Sequence, residues 1–189
     1  MCIRDRYTAG ETSSFQNTSV FCCIKENATL NHIRIFSDAD EAINISNLYI
    51  EQAEGSNYEY FQFVNSGALH RSDIYGKLNG INSSCSLSGL TLSKDKQHSA
   101  TYINTDHAKP HCTSSQKFKS ILNDMSSGVF NGRTVVQKDS QKTNSIQSNK
   151  NLLLSDKALM NSNPQLEIYA DDVKCAHGST TGALDKEAL

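Results

Sequence analysis

The stretch that decides the fold class is Ala68–Gln97, which reads ALHRSDIYGKLNGINSSCSLSGLTLSKDKQ. Apolar residues alternate with polar ones on both sides of Asn79–Gly80, a dipeptide that favours tight turns. The residues predicted to share a face are Ile74, Gly76 and Leu78 before the turn, and Cys85 and Leu87 after it. A period of two is that of a half-buried β-strand, so this stretch predicts two strands joined at a corner.

The same pattern extends over most of the chain. Short alternating runs recur about every eight to fifteen residues and are separated by Asn, Gly and Ser. Asn47 interrupts one run and is predicted to form a corner, and Ser114–Met125, the best helix candidate, alternates equally well as a strand. The chain is therefore predicted to be all-β, as a sandwich, an antiparallel barrel or a parallel β-helix. Strands of only three to five residues, abundant Asn and Ser, and register breaks within runs favour the β-helix.

Hydropathy assigns the faces of the run Ala28–Phe36. Ile33 and Ile35 fall on one side of that strand, and His32 falls on the other with Arg34. This arrangement predicts that His32 is a solvated strand residue.

Composition narrows the class of protein. A net charge of −2 and a pI of about 6.3 give no polycationic face, which disfavours nucleic acid as a partner. The chain contains no apolar run long enough to predict a membrane-spanning helix. Met1–Gly10 is polar and does not resemble a signal peptide. The six cysteines are unevenly spaced, unlike a secreted disulfide framework, so we expect a cytoplasmic protein with reduced thiols.

The tail of the chain, PQLEIYADDVKCAHG at 164–178, holds the candidate site. Pro164 is predicted to end the element before it, and Asp171–Asp172 to end the strand that follows. Cys175 and His177 are two residues apart, so an extended backbone would direct the thiol and the imidazole to the same face. This spacing alone favours a buried thiol and a hydrogen-bonded histidine over a functional pair.

Other motifs give weaker signals. His107, His111 and Cys112 could share a metal on a helix, but Pro110 disfavours a helix and a closed site needs four ligands, so a hydrogen-bonded turn is favoured. Asp171 and Asp172 are adjacent and would point to opposite faces, which argues against paired catalytic carboxylates. Neither a P-loop nor a Gly-x-Ser-x-Gly motif is present, so the chain is not expected to hydrolyse ATP or esters.

The run LEIYADDVKCAHG at 166–178 resembles a signature of the SufB/SufD family of iron–sulfur cluster assembly subunits. Ala176–Gly178 favours the SufD branch, because SufB carries a Glu-His-Glu type sequence at the equivalent place. Four more stretches resemble the family, at 67–90, 106–122, 127–136 and 141–158.

This resemblance implies a right-handed parallel β-helix and a non-catalytic scaffold subunit. The subunit would pair with SufB and take part in de novo cluster assembly and iron acquisition. His177 and Cys175 would then lie at the SufB interface and contribute ligands to a nascent iron–sulfur cluster or iron, with no cofactor bound stably by this chain alone. ATP hydrolysis would belong to SufC, which docks on a C-terminal helical domain of the family.

The predicted organisation has three parts: an irregular leader at 1–19, the β-helix at 20–184, and the start of a helix at 185–189 that Asp185 could cap. The resemblance implies that the chain is a fragment of a family member. The alternatives are a SufB-like paralogue or an unrelated carbohydrate-active β-helix protein.

Overall fold

A computed structural model describes residues 2–7, 13–65 and 67–183, the first of these ranges through its backbone. Thirteen strands and no helix lie within these ranges. The strands are β1 Cys2–Tyr7, β2 Phe15–Ile24, β3 Thr29–Phe36, β4 Ile43–Gln52, β5 Asn57–Val64, β6 Leu69–Leu78, β7 Ser84–Ser93, β8 His98–His107, β9 Thr113–Leu122, β10 Ser127–Val136, β11 Asn144–Leu153, β12 Leu159–Ile168 and β13 Lys174–Ala183. It follows that no helix in the described ranges could cross a membrane.

Consecutive strands alternate between two sheets, and neighbouring strands within each sheet pair in parallel. The odd-numbered strands form one sheet in the order β1-β3-β5-β7-β9-β11-β13, and the even-numbered strands form the other in the order β12-β10-β8-β6-β4-β2. Because each strand pairs with the strand two positions along the chain, the backbone winds in coils of two strands. The predicted parallel β-helix is confirmed, and the sandwich and barrel are excluded.

The coils differ in length, which explains why no fixed period is visible in the sequence. Phe15 pairs with Ile43, 28 residues later, whereas Ser127 pairs with Leu159, 32 residues later. Part of this difference lies in the strands, since β3 has eight residues and β11 has ten, and the rest lies in the corners. A search for an exact repeat therefore fails although the architecture is repetitive.

The strands are longer than the sequence suggested. Most span ten residues rather than three to five, and Asn47 lies inside β4 instead of at a corner. Pro164 lies inside β12 and pairs with Gly132 of β10, so it does not end an element. β12 is the last strand of its sheet among the described residues, so one of its sides pairs with no described strand. Proline has no N–H to donate, and it is tolerated in such an edge strand because no neighbour on that side requires a hydrogen bond from it.

The interior of the β-helix is more polar than hydropathy predicts. His32 and Arg34 are each only 1% exposed, whereas Ile33 between them is 39% exposed. The predicted faces of this strand were therefore inverted. His32 Nδ1 lies 2.8 Å from the Tyr58 hydroxyl in the next coil, and this hydrogen bond makes burial of the imidazole tolerable.

Corner residues hold the coils together. Five corners between an even strand and the next odd strand contain a residue with positive φ; these residues are Asn27, Gly55, Asn82, His111 and Lys142. Each of these residues donates its backbone N–H to a carbonyl one coil further along, with the N–O distances between 2.6 and 3.4 Å. Asn and Gly tolerate this left-handed conformation, which gives their frequency in the sequence a structural role.

The predicted domain boundaries differ from the observed strands at one end. β2 begins at Phe15, five residues before the predicted boundary at 20, and β1 lies within the predicted leader. The predicted helix at 185–189 lies outside the described residues.

Candidate functional site

Cys175 and His177 lie on β13, whose ten residues are extended as the sequence predicted. Cys175 pairs with Ser145 of β11, and His177 pairs with Gln147. Ser145 and Gln147 are each 1% exposed and belong to the interior of the β-helix. Since paired positions in a parallel ladder face the same way, Cys175 and His177 both occupy interior columns of the sheet.

The two side chains are nevertheless accessible. His177 is exposed and Cys175 is half-buried, although the residues beneath them in the previous coil are fully buried. β13 is the last strand of its sheet among the described residues, so no described coil covers it. The thiol and the imidazole thus lie together on the last described coil.

Partial burial raises the pKa of the Cys175 thiol, and a hydrogen bond from the Ser145 backbone offsets part of this effect. The thiol is therefore protonated at neutral pH and has to lose its proton before it can bind a metal. Lys174, the neighbouring cation, pairs with Asn144 and lies on the other side of the strand. It therefore does not activate the thiol.

Two hydrogen-bonded columns run through the interior beneath the site. Under Cys175, Ser145 Oγ and Ser114 Oγ are 2.8 Å apart, and Ser114 Oγ lies 2.8 Å from His107 Nε2. Under His177, Gln147 donates from Nε2 to Gln116 Oε1 at 2.7 Å. The candidate site is therefore supported by ordered polar groups rather than by an apolar core.

Sequence reasoning missed these supporting residues. Gln147, Asn149 and Asn151 alternate at a period of two, and all three are buried. The signal available in the sequence was this alternation of polar residues at the positions of the strand that face the interior. Hydropathy alone would assign these polar residues to a face exposed to solvent.

The group His107, His111 and Cys112 does not converge. His107 is buried and bound to Ser114, His111 lies on an exposed corner with φ of 62°, and Cys112 Sγ lies 3.2 Å from Ser83 Oγ in the interior. In the described part of the chain, no three His, Cys, Asp or Glu residues are grouped to hold a metal ion. The hydrogen-bonded turn favoured by the sequence is what the structure shows.

The two neighbouring aspartates take no part in a carboxylate pair. Asp171 and Asp172 are both exposed on the corner before β13, and Asp172 forms an ion pair with Lys142 of the preceding coil. An active site for glycoside hydrolysis would need two carboxylates facing each other across a groove. The corner instead contributes an ion pair that joins two successive coils.

The fold and the site define a class: a parallel β-helix with a thiol and an imidazole on the same face of its last described coil. Residues 2–189 match the family model for the SufBD core domain of the SUF system for FeS cluster assembly. The chain belongs to this family. The match excludes the unrelated carbohydrate-active β-helix.

Curated relatives agree with this assignment and favour the SufD side of the family. The chain is 34% identical to the iron–sulfur cluster assembly protein SufD of Escherichia coli over 88% of its own length and 39% of that protein. It is 33% identical to the SufBD family protein slr0076 of Synechocystis, over 93% of the chain and 39% of the relative. It is 30% identical to the chloroplastic protein ABCI7 of Arabidopsis thaliana, over 88% of the chain and 35% of the relative. The chain thus spans less than half the length of these relatives and is SufD-like.

Proposed function

We propose that the protein carrying this chain is a non-catalytic scaffold subunit of a Suf complex, and that it pairs with a SufB subunit. Membership of the SufBD family and the similarity to SufD support the proposal. In this role the chain presents Cys175 and His177 to a nascent iron–sulfur cluster, which is the cargo of the complex. Cytoplasmic assembly with reduced thiols fits the chemistry of both ligands.

The observation that carries the proposal is the shared direction of the two ligands on β13. A thiolate and an imidazole both suit iron and iron–sulfur species. Two ligands leave a tetrahedral iron half-coordinated, and no third His, Cys, Asp or Glu within residues 13–65 and 67–183 joins them. In this proposal a second subunit supplies the remaining ligands, so the site is an interface.

Iron acquisition and energy input are separate parts of the proposal. His177 is the more exposed of the two ligands and is therefore the first contact for incoming iron. ATP hydrolysis is assigned to a SufC partner, because the chain has no phosphate-binding loop.

The test replaces His177 with alanine in the full-length protein, co-expressed with SufB and SufC. We expect the three proteins to co-purify while the clusters formed per complex, measured by iron and sulfide content and by absorbance, fall to the level of a complex without this subunit. Cys175→Ser is expected to have a smaller effect in the same direction, since serine remains a weak oxygen ligand.

His111→Asn is the matched control. His111 is also an exposed histidine of the β-helix, and asparagine tolerates its left-handed backbone. Unchanged cluster content in an intact His177→Ala complex would refute the site. Failure of the full-length protein to co-purify with SufB would refute the partnership.

A further inference from the structure

A chain of side-chain amides runs through the interior towards His177, and its members all donate in one direction. Gln116 donates from Nε2 to Thr105 Oγ1 and Thr134 Oγ1, at 3.1 Å each. Gln147 donates from Nε2 to Gln116 Oε1 at 2.7 Å. In each amide, the nitrogen donates a hydrogen bond towards the body of the β-helix. The oxygen is then available to accept a hydrogen bond from the next coil.

The last oxygen of this chain, Gln147 Oε1, is buried and has no hydrogen-bond partner among the described residues. Leaving a buried acceptor unpaired is unfavourable, so a donor is expected next to it. The amide is also restricted in position, because Nε2 is bound to Gln116 and because a Cβ at Gly132 would overlap Nε2. Glycine at 132 therefore makes room for the amide in its present place.

The next position in the same interior column is His177, directly in register with Gln147. Its neighbour Ser179 is already engaged, donating to Ser162 Oγ at 2.7 Å and to Asn149 Oδ1 at 3.4 Å. The imidazole of His177 makes no side-chain hydrogen bond to the described residues and always carries at least one N–H. It is therefore the donor that the column provides for Gln147.

We propose that Gln147 is a positioning residue for His177: its buried Oε1 accepts the N–H of one imidazole nitrogen when the ring lies over the column. That bond fixes the tautomer and leaves the other nitrogen unprotonated and directed away from the β-helix, where it can bind a metal. A metal-binding histidine commonly uses its second nitrogen in this way, and the acceptor orients the ring. The metal-binding consequence rests on the proposed function, whereas the hydrogen bond does not.

The first test measures the tautomer of His177 in the full-length protein labelled with 15N-histidine. Spectra recorded at about pH 8.5, two units above the ordinary histidine pKa, report the neutral ring, and His177→Gln assigns its signals. We expect one tautomer to dominate in the wild type and Gln147→Met to shift the ratio by about fivefold towards that of free histidine. An unchanged ratio in Gln147→Met would overturn the proposal.

Gln62→Met is the matched control. Gln62 is fully buried, donates to Thr101 Oγ1 at 3.2 Å, and lies in a different column from His177. The Gln62→Met variant should leave the tautomer ratio of His177 unchanged. An equal shift in both variants would mean that loss of any buried glutamine loosens the interior, and it would overturn the proposal. If Gln147→Met does not fold, the wild-type spectrum still decides, since an unbiased tautomer mixture there contradicts the bond.

The second test separates this inference from the proposed function. Gln147→Met should lower iron binding by the complex in the wild-type background and have no further effect in the His177→Ala background. A tautomer shift without any loss of cluster in His177→Ala supports the hydrogen bond and refutes the proposed function. Loss of cluster in His177→Ala with no tautomer response to Gln147→Met refutes the hydrogen bond alone.

Discussion

Lys119 of β9 and Lys150 of β11 lie directly opposite each other in the parallel ladder, on the outer side of the odd-numbered sheet. Their side chains extend from neighbouring strands about 4.8 Å apart, and like charges at such positions repel each other. Lys117, two residues before Lys119, adds a third ammonium group to the same face. The chain therefore tolerates an unfavourable cross-strand pair on this surface.

Replacing Lys150 with glutamate should stabilise the protein. The substitution turns a repulsive pair into an attractive one, and we expect the free energy of unfolding to rise by about 0.5 kcal/mol at low salt. Urea denaturation at low and high ionic strength measures the effect, which salt should reduce. Lys150→Gln, which removes the repulsion without adding an attraction, should give a smaller gain, and a loss of stability in both variants would contradict the electrostatic explanation.

Gly89 should be intolerant of a side chain. A Cβ there would lie 2.6 Å from two ring carbons of Phe118 and 2.9 Å from Gln62 Cγ, in a packed part of the interior. Gly89→Ala is expected to lower the free energy of unfolding by about 1–3 kcal/mol. Gly182→Ala is the control, because a Cβ at Gly182 has no atom within 4 Å. Equal urea midpoints for the two variants would show that the interior relaxes around the added methyl group.

The β-strands could be predicted because their signals are local, whereas the choice of a parallel β-helix depended on the family resemblance. Alternation over Ile74, Gly76 and Leu78, together with a turn at Asn79–Gly80, depends on neighbours in sequence. The direction of Cys175 and His177 was predictable for the same reason. An extended strand fixes the relation between residues two apart whatever surrounds it.

The burial of His32 and Arg34 could not be predicted in this way. Their partners lie on other strands: Tyr58 contacts His32 from the next coil, and Thr18 Oγ1 on the opposite sheet accepts from Arg34 Nη2 at 3.3 Å. A polar residue is assigned to solvent unless its distant partners are known. The support of His177 by Gln147 is likewise invisible until the register between β11 and β13 is known.

Stability should fall as the pH is lowered, and His70 should be a main cause. Burial, and secondarily the positive charge of Arg34, lower the pKa of His70 to about 3. In the unfolded chain this group takes up a proton below about pH 6.5, while in the folded protein it stays neutral. The unfolded state therefore binds more protons between these two values, and acidification through this window favours unfolding.

The pH effect can be measured by urea denaturation between pH 8 and pH 4. Within the window, His70 contributes a slope of about 1.4 kcal/mol per pH unit, which His70→Gln should remove. His107, whose pKa burial lowers to about 4, should contribute over a narrower range. Above about pH 7.5 both rings are neutral in either state, so the difference between wild type and His70→Gln should be constant there. A slope unaffected by His70→Gln would contradict the buried neutral imidazole.

Thiol labelling should separate the cysteines by burial. Cys23 is exposed and should react first with N-ethylmaleimide, followed by half-buried Cys175, whose raised pKa slows it. Cys85 is 1% exposed, and burial raises its pKa to about 12, which reduces its thiolate fraction about a thousandfold relative to an ordinary thiol. We therefore expect Cys85 to react only after unfolding. Labelling is followed by mass spectrometry of peptides, in a Cys2→Ser variant so that Cys2 does not react.

The same labelling experiment reports on the proposed interface. Assembly with a partner over β13 should protect Cys175 while leaving Cys23 as reactive as before, because Cys23 lies on the even-numbered sheet, towards the other end of the strand order. Each protein thus contains its own reference thiol, and the ratio of the two rates is independent of reagent concentration. Protection of Cys23 with Cys175 still reactive would place the partner on the opposite sheet and contradict an interface at the thiol–imidazole pair.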